Sequence, residues 1–361
     1  MGGSGGLMES DLTTVLLRTN ESRGNFVALD AGTVLSGLNG FVAMNNMTFM
    51  NALFPGLPTW LSSVDPTKLS ADASAQFNMT LSGYIMKQFI LGYFIGHSHL
   101  DHVMGLAITS PEGSYFNNVT VDYYRPNSKS IVGSVNTTND LMNYIFNGAM
   151  WPNIPKLTNW YQYQTLEYGL QYYVNDVLYM ASTSFDKSQS GTHQIQNYQC
   201  NYLFSDTTVT MFPLCHSNPS SAFLFESQGI QLIYFSDTGL DTTTNCDWKS
   251  KVQTIWNAID ISKLRAILIE VSFPNDVTDG NLFGHMRPRD LLSILSDLKS
   301  LKGSLSKVQV VVTHVKPRFT SDFTQSSKTL VLQQLTSGAN ELLLDCTFAT
   351  ANQGNFFCYE K

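Results

Sequence analysis

Short apolar runs bounded by turn-forming residues recur along this chain, and their lengths and β-branched or aromatic content predict strands. The runs are Phe26–Leu29, Ile90–Ile95, Val119–Tyr124, Val209–Leu214, Ala222–Phe225, Ile230–Phe235, Ala266–Val271 and Val308–Val312. Between them the apolar spacing lengthens to three and four residues, which predicts amphipathic helices. These lie over Asn139–Phe146, Asp247–Ile259 (Trp248, Val252, Ile255, Ile259), Pro288–Leu301 (Leu291, Leu292, Leu295, Leu298) and Thr329–Leu335. Pro288 suits a first helical turn, where the N–H it lacks has no partner to lose. Strands and helices alternate in the second half, so the chain reads as α/β. The Asn-, Tyr- and Gln-rich stretch from Asn153 to Gln199 has weak periodicity and is expected to form insertions or loops around a common core. With no internal repeat or charge block, residues 1–361 are expected to form one domain.

Composition narrows the class. Hydrophobic residues at 43% and charged residues at 14% exclude a disordered or collagen-like chain. A net charge of −7 gives no reason to expect a nucleic-acid partner. No apolar run is long enough for a transmembrane helix, and Met1–Gly6 has neither the basic nor the apolar part of a secretory signal. The five cysteines (Cys200, Cys215, Cys246, Cys346, Cys358) allow one or two bridges and leave at least one thiol free. Cys215 reads as a small buried hydrophobe. Sequons begin at Asn20, Asn46, Asn78, Asn118 and Asn136, but about five are expected from the Asn, Ser and Thr content alone, so they decide nothing.

The chemistry concentrates in His97-Ser98-His99-Leu100-Asp101-His102. Three of the chain's seven histidines fall within these six residues, directly after a predicted strand and before the helix-like Val103–Leu106. Neutral imidazoles and a carboxylate at this density point to a metal site for zinc, manganese or iron. His97 and His99 can point the same way from an extended segment, while Asp101 and His102 turn toward a neighbouring position, so one loop can feed two metals. Two ions need about three further groups. His216, Asp237 and His314 each follow a predicted strand, the usual place for residues that line a site. His285 lies in Gly284-His285-Met286-Arg287-Pro288, a turn ahead of a helix. His193 has no strand end beside it and reads as a loop histidine.

The run His97–His102, followed in order by His216, Asp237 and His314, resembles the metal-binding pattern of the metallo-β-lactamase superfamily. The longer string from His97 to Pro111 resembles the signature of class II cyclic-nucleotide phosphodiesterases, a class with fungal and slime mould members. Gly5, Gly6 and Glu9, Leu29-Asp30-Ala31-Gly32, Phe235-Ser236-Asp237-Thr238-Gly239, Glu270-Val271-Ser272-Phe273-Pro274 and Gly284–Pro288 extend the likeness over nearly the whole chain, nearest to the extracellular enzymes of social amoebae. The resemblance implies an αββα sandwich of two mixed sheets flanked by helices. It implies that Gly2–Gly6 is native and that a first strand precedes it; a Gly-Ser cloning linker is the opposing reading.

Carried over residue by residue, the likeness implies His97, His99 and His216 on one divalent ion, Asp101, His102 and His314 on a second, and Asp237 between them. Asp30 is implied to orient a ligand, and His285 to stand near the leaving oxygen. With Asp237 and Asp101, His285 forms the implied catalytic set for hydrolysis of a 3′,5′-cyclic nucleotide, cAMP or cGMP, by water activated at two ions, Zn²⁺ or else Mn²⁺ or Fe²⁺. A small-molecule substrate, no nucleic-acid partner, no transmembrane segment and room for a homodimer complete the expectation. The nearest likeness implies an extracellular protein, with a cytoplasmic one as the alternative. Two rivals stay open: another hydrolase on this fold, acting on a phosphodiester or thioester, and a non-catalytic metal-binding module. An RNase Z-like reading is disfavoured by the acidic balance.

Overall fold

The computed structural model describes residues 4, 9–57, 80–115, 128–158, 160–179, 203–239, 245–317 and 325–360. Five strands make one sheet in the order of the chain: β1 (Val15–Leu17), β2 (Phe26–Leu29), β3 (Ile90–Phe94), β4 (Lys129–Gly133) and β5 (Tyr161–Thr165). β1 pairs antiparallel with β2, and the rest run parallel. The second sheet has seven strands: β6 (Gln171–Tyr173), β7 (Thr208–Leu214), β8 (Ser220–Ser227), β9 (Ile230–Phe235), β10 (Leu264–Glu270), β11 (Gln309–Thr313) and β12 (Thr347–Thr350). Their order is β12-β11-β10-β9-β8-β7-β6, antiparallel from β6 to β9 and parallel from β9 to β12.

The two-residue period of the strands sorts side chains into layers. Val27, Leu29, Phe94 and Val132 of the first sheet pack against Met211, Phe223, Phe225, Tyr234 and Leu268 of the second. Phe94 meets Phe223 and Phe225 edge-on, with ring centroids 5.6 and 5.3 Å apart. On the outer face of the first sheet, Ala28, Tyr93, Ile131 and Tyr161 pack under α1 (Leu35–Met44), α2 (Met47–Leu53), α3 (Leu81–Phe89) and α4 (Leu100–Tyr115). Three shorter helices follow: α5 (Val135–Asp140), α6 (Ile154–Thr158) and α7 (Val174–Tyr179). The outer face of the second sheet is covered by α8 (Trp248–Ala258), α9 (Pro288–Lys302) and α10 (Ser327–Glu341). The result is the expected αββα sandwich of two mixed sheets.

Seven of the eight predicted strands coincide with β2, β3 and β7 to β11, and three predicted helices with α8, α9 and α10. Pro288 opens α9, where the Asp290 carboxylate accepts the Arg287 backbone N–H. The run Val119–Tyr124, His193, Cys200, Gly5 and Gly6 lie outside the described residues. Three readings change. The stretch from Asn153 contributes α6, α7 and the edge strands β5 and β6 rather than loops alone. The helix over Asn139–Phe146 starts earlier, as α5, and its Leu141–Ile145 turn is a π-helix. Cys215 is disulfide-bonded to Cys246, not a lone hydrophobe. No helix among the described residues is long and apolar enough to cross a membrane.

β2, β3, β7, β9, β10 and β11 bring their carboxyl ends to one edge of the sandwich. Asp30 directly follows β2, His97 comes three residues after β3, and His216 and Asp237 come two residues after β7 and β9. Glu270 ends β10 and His314 directly follows β11. Every residue placed there sits where backbone pairing stops and side chains can converge.

Candidate metal centre

The ligand-like run begins in an extended connection. Gly96 has no side chain where the Ser236 Cβ packs against it, so the two strand-end segments approach closely. His97 and His99 precede α4, while Asp101 and His102 occupy its first turn and not the loop expected for them. Asp101 thus lies at the positive end of a helix. Asp30 and His314 both hold left-handed backbone, φ 54° and 58°. Hydrogen bonds at each side chain hold these uncommon conformations in place.

The structure brings together all seven expected ligands. Donor atoms of His97, His99, His216 and Asp237 lie within 4.8 Å of one another, as do those of Asp101, His102 and His314. Asp237 lies between the two groups: its Oδ1 is 3.3 Å from His102 Nε2, and its Oδ2 is 3.6 Å from His97 Nε2, 3.8 Å from His216 Nε2 and 3.3 Å from His314 Nε2. Asp101 Oδ2 is 3.1 Å from His314 Nε2, and His99 Nδ1 is 3.2 Å from His216 Nε2.

What lies behind the rings fixes which nitrogen faces inward. Asp30 Oδ2 accepts from His102 Nδ1 at 2.7 Å, and the Gly284 carbonyl accepts from His216 Nδ1 at 3.0 Å. The Ser236 hydroxyl donates to Asp30 at 2.8 Å, so it accepts from His97 Nδ1 at 3.0 Å. In the same way the Ser272 hydroxyl donates to Glu270 at 2.6 Å and accepts from His314 Nδ1 at 2.9 Å. Four rings therefore carry Nδ1–H outward and a bare Nε2 inward, a pattern characteristic of metal-ligating histidine. His97 Nε2, His102 Nε2 and Asp237 Oδ1 are buried without a hydrogen-bond partner among the described residues. Buried polar atoms left unpaired cost free energy, so this donor set fits divalent cations.

The electrostatics agree. Burial and neighbouring histidines push His97 well below the ordinary imidazole range and His99 down to about 4; burial also lowers His216. These rings stay neutral, the form that binds metal. Burial would raise Asp237, but His102, His314 and His285 hold it well below the usual carboxylate range. Burial opposes the charged form of His102, yet Asp237 and Asp30 draw it well above its ordinary value, so this position favours a positive charge. A metal cation can supply that charge in place of the proton.

His285 stands beside the cage, its ring centroid 4.9 Å from that of His216 and 5.1 Å from that of His314. Its Nδ1 is 2.9 and 3.0 Å from the two oxygens of Glu270, which also accepts the Thr238 N–H at 2.8 Å. Burial would depress His285, but Glu270 and Asp237 outweigh it and raise the ring. Glu270, Ser236 and Ser272 stand within the segments that carry the resemblance, which implies no role for them. Tyr234, whose hydroxyl donates to Asp30 at 2.6 Å, was not singled out. Their signal was positional: each stands at the end of a strand or within three residues of one.

Solved structures place the architecture. The chain superposes on the metallo-β-lactamase fold protein YhfI from Bacillus subtilis with a TM-score of 0.50, at 12% identity over 98% of this chain and 95% of that one. It superposes on unliganded yeast PDE1 with a TM-score of 0.70, at 20% identity over 98% of this chain and 96% of that one. Fold and site thus define a metallo-β-lactamase-fold protein with a His/Asp cluster suited to divalent metal. The model of the cAMP phosphodiesterases class-II matches residues 1–354, and the chain belongs to that family. It is 32% identical to the cAMP/cGMP-dependent 3′,5′-cAMP/cGMP phosphodiesterase A of Dictyostelium discoideum over 99% of this chain and 80% of that protein. It is also 32% identical to a 3′,5′-cyclic-nucleotide phosphodiesterase of Aliivibrio fischeri, over 93% of this chain and 85% of that protein.

Proposed function

We propose that this chain hydrolyses 3′,5′-cyclic nucleotides to 5′-nucleotides, with cAMP as the main substrate and cGMP accepted. The observation that carries the proposal is the set of four inward-facing Nε2 atoms arranged around Asp237 in a chain of this family. In this reading His97, His99 and His216 hold one ion, Asp101, His102 and His314 hold a second, and Asp237 serves both. The imidazole and carboxylate donors favour Zn²⁺, with Mn²⁺ and Fe²⁺ served by the same set. Bound divalent ions acidify water and neutralise phosphate oxygens. His285 is oriented by Glu270 and stabilises the departing 3′ oxygen, a role worth typically ~10²- to 10⁴-fold for a general acid.

An extracellular location is part of the proposal. It is supported by the Cys215–Cys246 bridge. The test of function is hydrolysis of cAMP and cGMP by metal-loaded protein, beside His99→Ala and a chelated sample, with metal content measured in each. Turnover by the intact protein alone supports the reading. Two bound ions with both nucleotides left intact would remove the substrate assignment.

A further inference from the structure

We propose that Asp140 recognises the ribose 2′-hydroxyl of the cyclic nucleotide, an inference that depends on the phosphodiesterase reading above. Asp140 closes α5, outside the ligand set, yet its carboxylate is hydrogen-bonded to the residue that stands between two of the expected ligands. The hydroxyl of Ser98, the residue between His97 and His99, donates to Asp140 Oδ2 at 2.7 Å. Asn218, two residues after His216, donates its amide to Ser98 Oγ at 2.7 Å and to Asp140 Oδ2 at 3.4 Å. Three segments thus meet here: the His97–His102 run, the segment after β7 and the end of α5. All three side chains are half-buried, so solvent reaches the network.

Asp140 Oδ2 is occupied by these two donors, and Oδ1 accepts no hydrogen bond among the described residues. The carboxylate is unsuited to a phosphate oxygen, because like charges at contact distance repel. It suits a neutral donor that sits close to the phosphate. In a 3′,5′-cyclic nucleotide the phosphate is fused to the ribose, and the 2′-hydroxyl is on the carbon next to the one bearing the 3′ oxygen. With the phosphorus at the cage, that hydroxyl is the nearest neutral donor the substrate offers. Asn218 and Ser98 already saturate Oδ2 and hold the carboxyl plane, so Oδ1 is left to accept. A charged acceptor gives a stronger hydrogen bond than a neutral one, and a substrate lacking the hydroxyl leaves it unmatched.

The experiment compares kcat/KM for cAMP and 2′-deoxy-cAMP in the metal-loaded wild type, Asp140→Asn, Asp140→Ala and Ser98→Ala. A hydrogen bond to a charged acceptor predicts a wild-type preference for the ribose substrate of ~10- to 100-fold. The preference should fall to about threefold or less in Asp140→Ala, with Asp140→Asn between the two. Ser98→Ala loosens the network but keeps the carboxylate, so it should retain most of the preference. Equal hydrolysis of both substrates by the wild type overturns the inference and leaves the phosphodiesterase reading standing. A preference that survives Asp140→Ala, with both rates lowered together, also overturns it and reduces Asp140 to a structural clip. Failure of the wild type to hydrolyse either nucleotide overturns the phosphodiesterase reading, and the inference with it.

Discussion

Asp30→Asn changes one oxygen for an NH₂ group at the most heavily bonded carboxylate behind the metal cage. Asp30 is fully buried and accepts from Gly96 N at 2.7 Å, His102 Nδ1 at 2.7 Å, Tyr234 Oη at 2.6 Å and Ser236 Oγ at 2.8 Å. Gly96 binds Oδ1 and the other three bind Oδ2. An asparagine has one acceptor oxygen and must choose. If that oxygen faces His102, the amide NH₂ meets the Gly96 N–H, and two buried donors oppose each other at ~1–3 kcal/mol. The three remaining bonds also lose their charge assistance. If the oxygen faces Gly96, the hydroxyls can rotate to accept, but His102 must move its proton from Nδ1 to Nε2, the atom aimed at Asp237. Either choice predicts a loss of about 3–5 kcal/mol in the stability of the chelated protein. It also predicts metal binding weakened by roughly 10- to 100-fold. Urea unfolding of the chelated protein measures the first quantity without metal linkage. Competition with a chelator of known affinity measures the second. A variant within about 1 kcal/mol of the wild type, with metal affinity changed by less than about threefold, would refute the assignment of Asp30 as the residue that fixes the His102 tautomer.

Two further expectations concern other parts of the site. The Cys215–Cys246 bridge closes a sequence separation of 31, and Cys215 directly precedes His216, so Cys246→Ala should cost about 3.7 kcal/mol by chain entropy. It should also lower metal occupancy; unchanged unfolding and full occupancy would contradict both parts. Since burial and His216 push His99 down to about 4, its ring in the chelated protein should stay neutral as pH falls and take up a proton only near that value. Imidazole proton NMR follows this directly, and a midpoint at 6 or above would show that the pocket does not enclose the ring.

The layers of the fold were readable where burial and composition coincide. β8, β9, β10 and β11 are apolar on both faces because each is covered by the other sheet on one side and by helices on the other. β4 escaped because a lysine and a serine open it. Yet all five of its residues are buried, with the Lys129 ammonium against the Lys87 and Ile90 carbonyls and 5.2 Å from the Trp160 ring centroid. β5 escaped because glutamine alternates with tyrosine in Tyr161–Thr165, although Tyr161 is buried and its hydroxyl donates to the Leu106 carbonyl at 3.1 Å. In both strands the inward polar groups find backbone partners, so tertiary context overrides a pattern that counts only apolar side chains.

The candidate site divides in the same way. Its ligand-like residues were visible because histidine is scarce and clusters at strand ends. The residues that decide their chemistry are not scarce. Ser236 and Ser272 are two serines among many, but each accepts from an imidazole Nδ1–H, donates to a carboxylate and so leaves Nε2 bare. Without an acceptor behind it, a neutral imidazole can carry its proton on either nitrogen, and the proton on Nε2 blocks metal binding. Rarity in the sequence therefore marks the atoms that face the substrate. The relays that set their protonation use common residues one position before Asp237 and two positions after Glu270, and their role appears only when the end of β9 meets the ends of β2 and β3 across the sandwich and β10 lies beside β11.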